Sequence, residues 1–293
     1  MNENTSTPFL QSTTDRDVAE TCLLTLYCRA IESRSNEPIL TDPKAVEIAR
    51  ALTPELTTAE SKLLCKLAFG RLDRRLVIFM SLRARRFDRY TTDFLARHPT
   101  GTVVNLGCGM DSRFLRVDNG QMQFFDIDLP EVIAFKRKFF EESARYHLVG
   151  SSVLEPGWME PVLEQSARPT LFLAEGLLMY LEPEKVQRLV LTLQARFPGS
   201  ELVCEVFNKA WLRPPLKRIA GGKMQRRCKM GKGAEFKSGL TDSREMEGWG
   251  PGITFLDEWS YFDEETPKMG TLRWFRNSKL FRYMQWTVHY RLD

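Results

Sequence analysis

A β-forming run, Thr102-Val103-Val104-Asn105-Leu106, passes directly into Gly107-Cys108-Gly109 and then into Met110 to Phe114, a segment compatible with helix. No other feature constrains the fold as much. Two glycines between a strand and a helix let the backbone turn sharply, and without Cβ atoms they let a ligand approach the turn closely. Nineteen residues after Gly109 stands Asp128, at the end of the run Phe124-Phe125-Asp126-Ile127-Asp128. That is close to the ~20-residue offset at which an acid after the second strand meets ribose hydroxyls. Asp126 competes for the role, because strand alternation puts both acids on one face. A dinucleotide fingerprint would carry a third glycine where Ser112 stands, and no G-x-x-x-x-G-K-[ST] phosphate loop occurs. The turn therefore points to a nucleoside ligand without a pyrophosphate. A plain βα turn with solvated acids at its rim would also satisfy the pattern.

Around this turn the chain changes its grammar. Residues 1–14 are polar and read as a loose arm. From about 15 to 100 the apolar residues recur at helical spacing, which predicts helices over Val18 to Ile31, Pro38 to Leu52 and Ser61 to Leu95, the last broken near Gly70. From Thr102 short β-rich runs alternate with helical stretches, the pattern of a parallel sheet built from βαβ units. The strands expected are Thr102–Leu106, Gln123–Ile127, Tyr146–Val149, Thr170–Ala174 and Glu201–Phe207, with helices over Leu129 to Arg145 and Pro183 to Arg196. Ile253 to Leu256 and Phe281 to Arg291 read as closing strands. The domain plan is a helical cap at 15–100, a ligand-binding core at 101–208, and a basic segment with closing strands at 209–293.

Composition excludes several classes. The 293 residues are 43% hydrophobic and 27% charged, ample for one large α/β domain or two smaller ones and unlike a disordered chain. The longest apolar runs fall short of the ~18 residues of a membrane span, and the opening MNENTSTPFLQSTTDRD lacks the pattern of a secretory leader, so a cytoplasmic location is expected. Six scattered cysteines and three distant histidines form neither a zinc spacing nor a small disulfide framework, so no metal is expected. The net charge of +4 is too small to imply a nucleic-acid partner.

NLGCGMDSRFLRV, FFDIDLPEVIAFK and LFLAEGLLMYL, preceded by TDPKA (41–45) and LRARRFDRY (82–90), resemble the leucine carboxyl methyltransferase family over roughly residues 17–208. The resemblance implies a Rossmann-like class I methyltransferase: a mostly parallel seven-stranded sheet with helices on both faces, an N-terminal helical extension and a lid insertion. It also implies S-adenosylmethionine as cofactor. Residue by residue, it places Arg83 on the methionine carboxylate, Gly107, Cys108 and Gly109 along the cofactor, Asp128 on the ribose, Glu175 near the reaction centre and Tyr180 beside the acceptor. Where the family writes an Asp-Leu pair to grip the adenine, this chain has Ser152 and Val153. A serine hydroxyl can bond the exocyclic amine, less strongly than a carboxylate.

Each position has a plainer reading. Arg83 stands among Arg71, Arg74, Arg75, Arg85, Arg86 and Arg89, and such runs are often a solvated helix face, the reading taken for Arg85, Arg86 and Arg89. Glu175 follows an apolar strand, where an unpaired carboxylate is unfavourable, so a partner is expected. Tyr180 fits a core as well as a site. The histidines His98, His147 and His289 stand away from every motif, which favours an acceptor that needs no general base, a carboxylate, on a small anionic or polyketide-like molecule. Between Lys209 and Lys237 ten basic residues face a single acid, Glu235. This is read as a lid that attracts an anionic acceptor, with a solvated loop as the equal alternative. An NAD-dependent oxidoreductase on the same sheet, or a non-catalytic nucleotide- or RNA-binding module, remain as other readings.

Overall fold

The computed structural model describes residues 16–165, 169–213 and 235–293. The expected arm at 1–14 and most of the basic stretch lie outside them. Four helices come first: α1 (Arg16–Ser33), α2 (Pro43–Leu56), α3 (Lys62–Ala68) and α4 (Arg74–Arg97). Each of the last three starts on a side-chain cap, from Asp42, Ser61 and Asp73, that accepts an otherwise orphaned backbone N–H. Then follow β1 (Thr102–Leu106), α5 (Arg113–Val117), β2 (Gln123–Asp128), α6 (Pro130–Lys136), β3 (Tyr146–Gly150), α7 (Met159–Gln165), β4 (Thr170–Ala174), α8 (Pro183–Arg196), β5 (Ser200–Phe207), β6 (Ile253–Trp259), α9 (Lys279–Arg282) and β7 (Gln285–Leu292).

The seven strands form one sheet in the order β3-β2-β1-β4-β5-β7-β6, parallel except for β7, which runs antiparallel to both its neighbours. The alternation along each strand divides the core. Val103, Phe124, Leu171 and Val203 face the N-terminal helices, with Leu26, Ile48, Phe87 and Phe94 packed in the same cluster. Val104, Phe125, Phe172 and Leu202 face the other way, against Val162 of α7 and Leu189 of α8. Both faces are covered, which is why the strands read as continuous apolar runs. The order reverses between β1 and β4, so a crevice opens beyond the carboxyl ends of these strands, where ligands bind in sheets of this kind.

The first five expected strands match within one residue, and β6 runs three residues past the expected Leu256, to Trp259; the last strand differs more. Phe281 and Arg282 belong to α9, and β7 begins at Gln285, the partner of Phe207. The helix expected over Leu129 to Arg145 ends at Lys136, because the chain must turn back to begin β3 while Phe140 enters the core beside Tyr146. The second helix starts at Pro43, after the Asp42 cap, rather than at Pro38. The third divides into α3 and α4 around Gly70, which takes positive φ (62°).

Asp42 has a second task. Besides capping α2 it accepts from Arg29, Arg116 and the Ser112 hydroxyl, so it ties α1 and α2 to the start of α5. Burial works against its charge, but Arg29 and Arg116 prevail and hold its carboxyl below the usual range. Asp42→Ala leaves two buried guanidiniums short of a partner and should cost about 3–5 kcal/mol, read as a lower urea midpoint. In the parent, the stability that Asp42 contributes is present above its unfolded pKa and is lost as pH falls through the depressed folded value. The variant should therefore show a smaller loss of stability on acidification.

Candidate functional site

The β1 turn is built around the end of β2. Gly107 and Cys108 donate from their backbone N–H groups to the Ile127 carbonyl, at 2.8 and 3.2 Å. Gly107 and Gly109 take positive φ (65° and 48°), and a Cβ would meet the Leu177 side chain at 2.9 Å from the first and Cys22 Sγ at 3.1 Å from the second. Glycine is thus required both by the turn and by close packing. Asp128 closes the arrangement: its Oδ2 accepts from the Gly109 N–H (2.7 Å) and its Oδ1 from the Leu129 N–H (2.8 Å). Burial raises the Asp128 carboxyl, and the two backbone donors only partly offset that.

Asp126, the competing acid, is not at the crevice. It lies inside the sheet, ion-paired to Lys136 (2.8 Å) and bonded to the Tyr146 hydroxyl (2.6 Å) and the Asn105 amide (2.9 Å). Both acids are buried, yet only Asp128 lines the crevice.

The crevice holds a cavity of about 340 Å³, and every residue named from the sequence for the site lines it: Arg83, Gly107, Cys108, Gly109, Asp128, Ser152, Val153, Glu175 and Tyr180. Ser152 and Val153 border it beyond β3, and the Ser152 hydroxyl accepts from the Leu154 N–H. At the other end Tyr180 packs against Phe236 (ring centroids 5.3 Å apart), and Met179 carries the backbone contacts of Lys237 and Ser238. The described C-terminal edge of the expected lid therefore reaches the cavity. Its basic centre lies outside the described residues.

Arg83 is buried on α4 and bound on two sides. Its Nε donates to Glu175 (2.8 Å) and its Nη1 to Glu205 on β5 (2.9 Å). Glu175 also receives Arg113 Nη2 (2.6 Å), the partner that its strand-end position demanded. Burial pushes the Glu175 carboxyl up, but Arg83 and Arg113 outweigh it and hold the group below the ordinary carboxylate range. Arg113 is fully buried and also pairs with Asp88 and Asp111, while Arg116 joins Asp42, Asp88 and Asp111. Of the neighbouring arginines, Arg89 is exposed as expected. Arg85 and Arg86 instead pair with Glu264 and Asp257 and fasten α4 to the C-terminal third.

Several lining residues have no sequence motif to announce them. Cys22, Thr25 and Arg29 face the cavity from α1 at spacings of three and four, a polar stripe that helical periodicity could have revealed. Glu205 and Gln285 come from β5 and β7, far apart in the chain, and only strand pairing brings them together. Among the described residues no cluster of His, Cys, Asp and Glu is arranged to hold a metal ion.

The two acids predict different losses. Asp128→Ala removes a charge-assisted acceptor at the cavity wall and should weaken S-adenosylhomocysteine binding by about 10- to 150-fold, the equivalent of ~1.5–3 kcal/mol. Asp126→Ala leaves Lys136 buried without its carboxylate and should instead lower thermal stability. Calorimetric titration and thermal melts of both variants separate the roles.

The geometry can be set beside known proteins. The leucine carboxyl methyltransferase family profile matches residues 22–194. The tetracenomycin polyketide synthesis O-methyltransferase of Streptomyces glaucescens is 30% identical over 247 residues, covering 84% of each chain. An S-adenosylmethionine-dependent methyltransferase of Gibberella zeae is 27% identical over 294 residues, 91% of this chain and 89% of its own. A DUF574 family protein from Streptomyces avermitilis shares the fold, with a TM-score of 0.53 over 93% of this chain and 97% of its own at 12% identity. The donor set agrees with these matches: an acid held at the strand end beside an open glycine turn, without the third glycine of a pyrophosphate site, suits a nucleoside cofactor. This chain belongs to the leucine carboxyl methyltransferase family and is an S-adenosylmethionine-dependent methyltransferase.

Proposed function

We propose that the protein esterifies a carboxylate on a small, largely apolar, polyketide-like molecule. One observation carries this reading. Among the described residues that line the cavity there is no histidine and no lysine, and the acids nearest its far end, Glu175 and Glu205, are bound to Arg83. No group there is placed to take a proton from a phenol, whose reference pKa is about 10, whereas a carboxylic acid at about 4 arrives already ionised. The kinship with an enzyme of polyketide synthesis supports the acceptor class.

In this reading Asp128 holds the ribose, Ser152 and Val153 border the adenine, and Gly107 to Gly109 leave room for the nucleoside. Arg83, which lines the cavity, takes the methionine carboxylate. When bound, S-adenosylmethionine supplies a methyl group on a sulfonium, open to in-line displacement. The chain's own contribution is alignment and the exclusion of water. Over β4, β5 and β7 the cavity is walled by Met179, Tyr180, Leu181, Phe236 and Gln285, an apolar surface with two hydrogen-bonding groups to orient an acceptor. The acceptor is anionic, and the basic stretch after β5 steers it. No described helix is long and apolar enough to cross a membrane. We place the reaction in the cytoplasm, a reading supported by the described cysteines, none of which forms a disulfide.

The acceptor chemistry is read from the product. Incubated with labelled cofactor and a panel of aromatic carboxylic acids and phenols, the enzyme should form methyl esters, which mild alkali hydrolyses to methanol. Its kcat/KM should be flat from about pH 6 upward, since the acceptor is ionised throughout. An alkali-stable methyl ether, with a rate that climbs toward the phenol pKa, overturns the proposal.

A further inference from the structure

Glu205 belongs to none of the motifs that mark the cofactor site, yet it lines the cavity and is completely buried. Its Oε2 accepts from Arg83 Nη1 at 2.9 Å, and its Oε1 accepts from the Tyr261 hydroxyl and from Gln285 Nε2, the latter at 2.8 Å. The last two donors are neutral. Burial, reinforced by Glu205, pushes the Tyr261 phenol well above its ordinary range, so it stays protonated. Glu205 is thus hydrogen-bonded at both oxygens, and among the described residues Arg83 is the one cation paired with it. Arg83 shares its single charge between Glu205 and Glu175, and Glu175 in addition has Arg113.

The excess extends beyond this pair. Around the cavity, among the described residues, carboxylates at Asp42, Asp88, Asp111, Asp126, Glu175 and Glu205 are paired with Arg29, Arg83, Arg113, Arg116 and Lys136, one cation fewer. Asp128 adds a further acid that has no side-chain cation at ion-pair distance among the described residues. A buried net negative charge is unfavourable by itself and acts with little screening on whatever enters, so the anionic acceptor has to follow the cationic cofactor, whose charge offsets the excess.

We propose that Glu205 is a specificity-determining residue of the cofactor site. By placing a second carboxylate on Arg83 it keeps the cavity net negative, so the site holds the cationic sulfonium form of the cofactor more tightly than the neutral thioether product. The two ligands differ by one methyl group and one positive charge. Transfer of the methyl cation to the acceptor oxygen leaves its electron pair on sulfur, the positive charge disappears, and with it the attraction that retained the cofactor. The excess acid therefore favours exchange of product for fresh cofactor.

The test is calorimetric titration of the full chain with S-adenosylmethionine, the amine-bearing analogue sinefungin, and S-adenosylhomocysteine. The parent should bind the two cationic ligands about tenfold more tightly than the neutral one. Glu205→Gln keeps the shape and removes the charge. It should cut that preference severalfold by weakening the cationic ligands while leaving S-adenosylhomocysteine nearly unchanged. Glu205→Asp should retain the preference even where absolute affinity falls, and it carries the test with the parent if the glutamine variant does not fold. Equal affinity of the parent for all three ligands, or an equal loss for all three in Glu205→Gln, overturns the proposal, the second outcome making Glu205 only a support for Arg83. No acceptor enters the experiment, so the result stands apart from that of ester formation.

Discussion

The structure depends on Arg113, a fully buried guanidinium that meets carboxylates from three parts of the chain. Asp88 comes from the last cap helix, Asp111 from the glycine turn and Glu175 from the end of β4. Removing charges from water is so unfavourable that buried ion pairs add little net stability, but an arrangement that separates them is penalised heavily. These pairs therefore favour the packing of cap helices on the sheet in which each carboxylate finds its arginine. Arg116 extends the constraint to Asp42, which also starts α2, so helix initiation and inter-element packing share one side chain.

That packing creates the cavity. The cap covers one face of the sheet and reaches its carboxyl edge, where α1 lends Cys22, Thr25 and Arg29 as one wall of the cavity while the strand ends lend the other. The division of labour within the wall follows the strand order. β1, β2 and β3 present glycines, Asp128 and Ser152, suited to a nucleoside, and β4, β5 and β7 present an apolar surface with Glu175, Glu205 and Gln285. Arg83 anchors the second half, because a planar guanidinium can hold a different carboxylate at each edge, Glu175 after β4 and Glu205 on β5.

Particular residues show how much of this could be read in advance. The strands were legible because a sheet covered on both faces writes unbroken apolar runs, as in Val103-Val104 and Leu171-Phe172-Leu173. The partner of Glu175 could be foretold in kind, since a carboxylate after four apolar residues needs a cation. Helix ends were less legible. Nothing local stops α6 at Lys136; the stop comes from the return to β3 and from Phe140 seeking the core. Arg85 and Arg86 read as solvent-facing because their partners, Glu264 and Asp257, lie more than 170 residues away.

The sequence by itself determined the strand, the glycine turn and the acid at its offset, and with them the kind of ligand the sheet can hold, because these features are local and act through backbone geometry. The choice of Asp128 over Asp126 belonged to the tertiary structure. Both share a strand face, and only the depth of each in the sheet and the positions of Lys136 and Tyr146 separate an interior acid from a rim acid. The tertiary structure also decided the site's electrostatics. Arg83 and Glu205 are 122 residues apart, and whether a charge is neutralised or left in excess depends on which side chains share its burial, a property that no stretch of sequence carries alone.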